Sequence, residues 1–377
     1  MMLRIEIARY GAVSVLRLIG RVESTHVDEL RAVIRGHHRT VMLDLDEVSL
    51  VDLDAVRFLV ACEAEGIELI RCSRYIREWM KSSSEHIPET DMGETLTRGN
   101  TTAPTQFLDV GNQRYAYRRF GKGTGLPLLC LQHFTGTLDN WDPAVSDVLA
   151  EGRDVILFDN AGLGRSSGTV PDTVAGMATH AMAFLDGLKL KTCDVLGYSL
   201  GGMVAQQMVL NRPSVFRRII LVGTAPRGGE DIMHLEKPDL AKYLSDPTLQ
   251  GYAILQKIFF APTSTSQTAG AAFVERLSQR TKDLDPPSGP SVAAAQMAAF
   301  RDWERYTGKR FADVESIRQP TLVVNGVHDE MIPVRNSYWL VEHLPNAILL
   351  VYPDSGHGSL FQFHESFTQQ ASLFLGD

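Results

Sequence analysis

The chain has 377 residues, 44% apolar and 22% charged, an ordinary composition for soluble globular proteins and long enough for two domains. Its 37 basic residues are outnumbered by 45 acidic residues, and the resulting net charge of −8 disfavours nucleic acid or an anionic membrane as a partner. The charged amino terminus and the lack of a long apolar run predict a cytoplasmic protein without a signal peptide or membrane span.

Residues 1–84 predict a small α/β domain. Apolar and polar residues alternate in the first two segments, which indicates a hairpin, and later segments switch between helical and strand periodicity. The predicted order is ββαβαβα, a sheet with helices on one face. The elements are strands at 3–8 and 13–18, a helix after Thr25, a strand at 41–45, a helix after Asp52, a strand at 67–70 and a helix at 75–80.

Residues 41–55 carry a family resemblance. The segment reads Val41-Met42-Leu43-Asp44-Leu45-Asp46-Glu47-Val48, then Val51-Asp52-Leu53-Asp54-Ala55. With the element order, it resembles the STAS family, the domain of anti-sigma-factor antagonists and sulfate transporters. The domain has no catalytic constellation, so we expect a binding or docking role, with passive fusion or dimerisation as the alternative. Regulatory members are phosphorylated on a serine after the aspartate equivalent to Asp52, but Leu53 and Asp54 stand there, which argues against a phosphoswitch.

The hydrophobic pattern is lost between Ser82 and Thr105, where Ser, Thr, Glu, Gly, Asn and Pro predominate. Such a composition cannot bury enough apolar surface to become ordered. We therefore predict a domain boundary here, with residues 85–104 forming a flexible linker.

Residues 105–377 predict a second α/β domain with a mostly parallel sheet. A hairpin signal around Gly111-Asn112 opens it. Unbroken apolar runs then alternate with helical patterns, as in a sheet covered by helices on both faces. The runs lie at 126–131, 154–158, up to Tyr198, 218–222, 321–324 and 347–351. Functional sites in such sheets collect at the carboxyl ends of the strands.

The sequence Gly-Tyr-Ser-Leu-Gly at 197–201 predicts a nucleophile elbow. A strand run precedes it, and a helical pattern from Leu200 to Asn211 follows it. The flanking glycines are a steric requirement, because side chains there would prevent the close approach of strand and helix. Ser199 is therefore the predicted nucleophile, with its Oγ exposed at the start of a helix.

A serine nucleophile needs a base, and the base needs an acid that orients it. His357 follows the last strand run, and Asp329 follows the preceding one. Glu330 stays open as the acid, although the spacing favours Asp329. The residues interpreted as structural or turn residues are His328, His364 and Asp354.

The chain order Ser199, Asp329, His357 is that of the α/β-hydrolase superfamily, which residues from about 110 to 377 resemble. The elbow, a Gly-x-x-Asp-x-x-x-Pro segment at 326–333 and a Ser-Gly-His segment at 355–357 carry the resemblance. The turn at 159–166 is similar to the family's Asp-x-Arg-Gly-x-Gly-x-Ser turn, with Ala161 in place of the arginine.

Acyl transfer also needs two donors for the developing oxyanion. The elbow supplies one, the backbone N–H of Leu200. The resemblance implies that the other follows the first parallel strand, where relatives read His-Gly-aromatic. In that alignment Gln132 takes the His place, His133 takes the Gly place and Phe134 supplies the N–H.

Residues of about 227–310 form an insertion with helical patterns, which resembles the family's cap over an apolar substrate pocket. The candidate lining residues are Met203, Met297, Phe259, Phe260 and Trp303. The predicted function is a serine hydrolase that cleaves an ester or related acyl bond of a small, fairly apolar molecule, without metal or cofactor. Cofactor-free perhydrolase or C–C bond hydrolase chemistry stays open. A second class is a ligand sensor whose STAS-like domain docks a partner.

Overall fold

The computed structural model describes residues 3–10, 13–22, 24–35, 40–64, 67–73, 76–77, 80, 99–122 and 124–376. The chain divides into two compact units, Met1–Glu94 and Thr95–Asp377. Each unit has its own hydrophobic core. No helix among the described residues is both long enough and apolar enough to cross a membrane.

The first unit is built on a four-stranded sheet. Its elements are β1 (Arg4–Tyr10), β2 (Val13–Val22), α1 (Val27–Arg35), β3 (Thr40–Val51), α2 (Leu53–Ala64) and β4 (Glu68–Ile70). The strand order is β1-β2-β3-β4, with β1 antiparallel to β2 and the other two pairs parallel. These elements follow the predicted order. The helix predicted at 75–80 lies largely outside the described residues.

The first unit differs from the expectation in the length of one strand, and the start of α2 agrees with it. Strand β3 continues beyond the predicted end at Leu45, because Glu47 to Val51 pair with the second half of β2 across two register shifts. Helix α2 is capped by Asp52, whose carboxylate accepts the N–H of Ala55 at 2.8 Å.

Residues 99–104, which the sequence predicted as flexible linker, are packed against the second unit instead. Asn100 and Ala103 are buried. The Asn100 side chain donates to the backbone oxygen of Trp141 at 2.7 Å, and Arg280 donates to the carbonyls of Asn100 and Ala103 at 2.7 and 2.9 Å. Polar composition misled the prediction because these contacts join residues far apart in the chain. Residues 85–98 lie outside the described part of the structure.

The second unit is built on an eight-stranded sheet. Its strands are β5 (Gln106–Val110), β6 (Gln113–Phe120), β7 (Gly125–Leu131), β8 (Arg153–Phe158), β9 (Cys193–Tyr198), β10 (Phe216–Val222), β11 (Thr321–Gly326) and β12 (Ala347–Tyr352). The order across the sheet is β5-β6-β8-β7-β9-β10-β11-β12. Strands β5 and β6 form the predicted hairpin, and β6 is antiparallel to β8. The other six strands, β7 to β12, are mutually parallel.

Helices connect the parallel strands, and two more follow the last strand. They are α3 (Pro143–Leu149), α4 (Val174–Gly187), α5 (Leu200–Asn211), α6 (Pro238–Leu244), α7 (Tyr252–Phe259), α8 (Ser264–Leu277), α9 (Pro290–Glu304), α10 (Ala312–Ser316), α11 (Arg335–His343), α12 (Ser359–Gln362) and α13 (His364–Leu375). Helices α6 to α9 occupy the predicted insertion between β10 and β11. The carboxyl ends of β7, β9, β11 and β12 carry the candidate functional residues to one edge of the sheet.

Candidate active site

The turn between β9 and α5 presents Ser199 in a strained conformation. Its φ is 56° and its ψ is −119°, a combination that costs a non-glycine residue about 1–3 kcal/mol. The end of β10 holds both backbone groups of Ser199. The N–H donates to the Val222 carbonyl at 2.8 Å, and the carbonyl accepts from the Thr224 hydroxyl at 2.8 Å.

Glycines around Ser199 let three segments meet at this turn. A Cβ on Gly197 would lie 2.4 Å from the carbonyl oxygen of Gly201, and one on Gly201 would lie 2.1 Å from the carbonyl oxygen of Leu131. A Cβ on Gly202 would lie 2.6 Å from the side chain of Thr224. The elbow therefore packs directly against the carboxyl ends of β7 and β10, and larger residues at Gly197 or Gly201 would displace backbone.

His357 and Asp329 form a buried pair. His357 Nδ1 lies 2.8 Å from Asp329 Oδ2, and both side chains are fully buried. The other carboxylate oxygen, Oδ1, accepts the backbone N–H groups of Met331 and Ile332, each at 2.9 Å. Because the carboxylate only accepts, Nδ1 of His357 carries a proton and Nε2 is left as the basic nitrogen.

The alternative acid and the other histidines lie elsewhere. Glu330 and His328 are exposed, and His364 is half-buried at the start of α13. Asp354 has a positive φ of 47° and accepts from the hydroxyl of Thr263 at 2.8 Å, as expected for a turn residue.

Ser199 is buried, so the prediction of an exposed Oγ is wrong. Its Oγ and His357 Nε2 have no hydrogen-bond partner among the described residues, and the same holds for three neighbouring atoms, His133 Nε2, Ser355 Oγ and Ser359 Oγ. Ser199 Oγ and His357 Nε2 do not bond to each other. Such a bond is often long or poorly aligned without substrate and tightens when substrate binds. The structure thus brings Asp329 and His357 together. It leaves the basic nitrogen Nε2 of His357 and the hydroxyl of Ser199 without hydrogen-bond partners.

A model of the family described as alpha/beta hydrolase fold matches residues 127–363. The chain belongs to the α/β-hydrolase family. It is 42% identical to the solved structure of an alpha/beta hydrolase fold protein from Chitinophaga pinensis, with a TM-score of 0.69 over 74% of this chain and 99% of that one.

Two further similarities are more distant. The α/β-hydrolase is 29% identical over 237 residues, 62% of this chain and 85% of the relative, to RutD of Caulobacter sp. (strain K31), whose name proposes a carbamate hydrolase. The structure of Est816, described as an N-acyl homoserine lactone degrading enzyme, is 22% identical with a TM-score of 0.57, covering 71% of this chain and all of that one. At that identity the likeness concerns the fold alone.

The two predicted oxyanion donors of this α/β-hydrolase lie at the ends of neighbouring strands. Leu200 is the first residue of α5, and Phe134 follows β7 in the loop against which the elbow packs. In the described structure neither backbone N–H donates to a protein acceptor. Both amides are therefore available to an incoming oxygen.

His133, at the place where relatives carry glycine, is buried beside the candidate base. Its Nδ1 lies 2.7 Å from the carbonyl oxygen of Phe134, so Nδ1 carries the proton and Nε2 can only accept. Burial, with a smaller contribution from the nearby His357, lowers the pKa of His133 to about 3. His133 Nε2 has no partner among the described side chains. The neutral ring therefore offers an acceptor and no charge.

Four rings close a cycle around the hydrolase site. His133 and His357 each contact both Tyr198 and Phe259, with ring centroids 5.1 to 5.5 Å apart. Burial raises the pKa of Tyr198 well above its usual value, so its hydroxyl stays neutral and donates to the carbonyl of His357 at 3.3 Å. Phe259, at the end of α7, is the insertion residue that reaches His357.

The remaining predicted lining residues have different surroundings. Met203 is fully buried within α5, and the Trp303 indole donates to the carbonyl of Ala225 at 3.0 Å. Phe260 is buried against Phe273. A cavity of about 30 Å³ lies instead behind the Phe134 loop, and its lining includes Gln132, His133, Asn160, Leu200, Val204 and Gln296. Sequence reasoning missed Gln296, which only the fold brings to this loop.

Proposed function

We propose that this α/β-hydrolase is a serine hydrolase that cleaves an ester or related acyl bond of a small, fairly apolar molecule through an acyl-enzyme on Ser199. The observation that carries the proposal is the buried Asp329–His357 pair at the same sheet edge as a strained, unpaired Ser199. A buried polar atom without a partner costs about 1–3 kcal/mol, and a catalytic role for Ser199 Oγ and His357 Nε2 accounts for leaving both unpaired.

In the proposed reaction, Ser199 Oγ attacks the acyl carbon while His357 Nε2 takes its proton. Asp329 keeps the other ring proton on Nδ1 and stabilises the imidazolium. The oxygen of the tetrahedral intermediate accepts the N–H groups of Phe134 and Leu200. His357 then protonates the leaving group, and a water releases the acyl group by the same steps.

The test compares wild type, Ser199→Ala and the control Ser245→Ala, an exposed serine at the end of α6. Hydrolysis of p-nitrophenyl acetate and butyrate is measured, and a fluorophosphonate label is mapped by peptide analysis. We expect a burst of p-nitrophenol and label on Ser199 in wild type and control, both lost in Ser199→Ala. Equal hydrolysis by all three proteins would refute the acyl-enzyme.

A carbamate is the second candidate substrate. The similarity to RutD supports it, and so does the acceptor at His133 Nε2, because a carbamate carries an N–H beside its scissile carbonyl while a simple ester does not. The test compares p-nitrophenyl N-methylcarbamate with its N,N-dimethyl analogue, and His133→Phe with wild type. Preference for the N–H substrate that His133→Phe abolishes supports this candidate, and equal rates with both substrates reject it.

The helices α6 to α9 are proposed as a cap over the substrate, because Phe259 contacts His357.

The first unit is proposed as a STAS-like module that binds a partner or a second copy, supported by its ββαβαβ order. A cytoplasmic location is proposed from the sequence. Light scattering and esterase assays on the full chain and on residues 95–377 test the role of the module. The same number of chains per particle and unchanged activity would leave self-association and sensing without support.

A further inference from the structure

The loop that carries Phe134 contains a strained β-turn. The N–H of Gly136 donates to the carbonyl of His133 at 3.1 Å, which closes a turn over residues 133–136. Thr135, the third residue, has a φ of +58°. A positive φ at this position is typical of a type II turn and normally requires glycine or asparagine. For a β-branched residue it is a genuine outlier, so the surroundings must hold it.

Contacts from the insertion hold Thr135 on both sides. Its N–H donates to the side-chain oxygen Oε1 of Gln296 at 2.6 Å, and its carbonyl accepts from the hydroxyl of Ser288 at 2.8 Å. Gln296 lies on α9 and is 1% exposed, so bulk solvent does not reach this bond. Ser288 lies in the loop that leads into the same helix.

The preceding carbonyl is held as well, since His133 Nδ1 donates to Phe134 O. Both ends of the peptide group between Phe134 and Thr135 are thus fixed, one by His133 and one by Gln296. Rotating this peptide group would convert the turn to type I, in which the third residue has a negative φ that threonine adopts readily. That rotation would break both hydrogen bonds and release the Phe134 segment.

We propose that Gln296 is a positioning residue, through which helix α9 holds the Thr135 turn and thereby keeps the Phe134 N–H in place for the oxyanion. The inference rests on the proposed function. It makes the oxyanion site of the sheet depend on the packing of the insertion.

The test is a double-mutant cycle on kcat and KM with p-nitrophenyl butyrate. Gln296→Met keeps the volume and removes the acceptor, and Thr135→Gly removes the strain. We expect Gln296→Met to lower kcat by about 10- to 100-fold, because one oxyanion donor is misplaced, with KM changed less than about threefold. In the Thr135→Gly background, adding Gln296→Met lowers kcat by less than about threefold, because glycine adopts the positive φ without outside support. Gln279→Met, an exposed glutamine after α8, is the matched control.

Ser288→Ala provides a second route if Gln296→Met does not fold, and the expected loss in kcat is again rescued by Thr135→Gly. An unchanged kcat in Gln296→Met, an equal loss in both backgrounds, or a loss confined to KM would overturn the proposal. Fluorophosphonate labelling of Ser199 in wild type is read first. Absence of label, with full activity in Ser199→Ala, would reject the serine mechanism itself and with it the role of Gln296.

Discussion

Asp329→Asn tests the orientation of His357 most directly. The change alters one atom and keeps the shape of the side chain. Oδ1 accepts two backbone N–H groups, so the oxygen of the new amide would take this position and its NH₂ group would face His357 Nδ1. A donor opposite Nδ1 forces the ring proton onto Nε2. Nε2 of His357 then has no lone pair to accept the proton of Ser199.

A base in the wrong tautomer lowers kcat by about 10³- to 10⁴-fold, which corresponds to roughly 4–5.5 kcal/mol of lost transition-state stabilisation. Steady-state hydrolysis of p-nitrophenyl butyrate measures the loss in kcat. We expect KM to change little, because the Asp329 side chain is buried against His357. Glu330→Gln is the matched control at the exposed neighbour and should stay within about twofold of wild type. A loss below about tenfold in Asp329→Asn, or a large loss in Glu330→Gln, would refute the reasoning.

Three further predictions concern stability. Gly201→Ala places a Cβ 2.1 Å from a backbone oxygen and should lower Tm markedly, while Gly289→Ala, with open space around it, should not; differential scanning fluorimetry compares them. Burial and a nearby carboxylate raise the pKa of Asp285 from 3.8 to about 6, so the folded state loses stability as pH rises through this window. Asp285→Asn should therefore stabilise the protein more at pH 8 than at pH 4 in thermal unfolding; a gain of equal size at both would contradict the titration. Asp194→Asn removes a fully buried carboxylate that pairs with two arginines, and it should lower the free energy of unfolding in urea by about 3–5 kcal/mol. The control Asp186→Asn, at an exposed ion pair, should change this free energy little.

The sequence predicted the elements around Ser199 because local features specify them. Apolar runs define the strands, and the glycines beside Ser199 are needed where the strand, the turn and the helix meet. Asp329 and His357 follow neighbouring parallel strands, so their meeting follows from strand order. Hydrophobic patterning and chain order together were sufficient for this part of the site.

Other features depend on contacts between distant residues, which no local pattern encodes. Gln296 reaches Thr135 across 161 positions, and Asn100 reaches Trp141 across 41. The tautomer of His133 depends on the orientation of one carbonyl group, that of Phe134. The polar stretch before Thr105 looked disordered because its partners, including Arg280, are distant in the chain.

The packing of residues 99–104 against the hydrolase unit determines where another module can be fused to this chain. Arg280 binds two carbonyls of this stretch, and a side chain in place of Gly99 would run into the carboxylate of Asp147 at 2.4 Å. A fusion that exchanges the first unit for another module should therefore be joined upstream of Gly99. A splice at Thr105, where polar composition suggests a boundary, would strip the hydrolase of part of its own core.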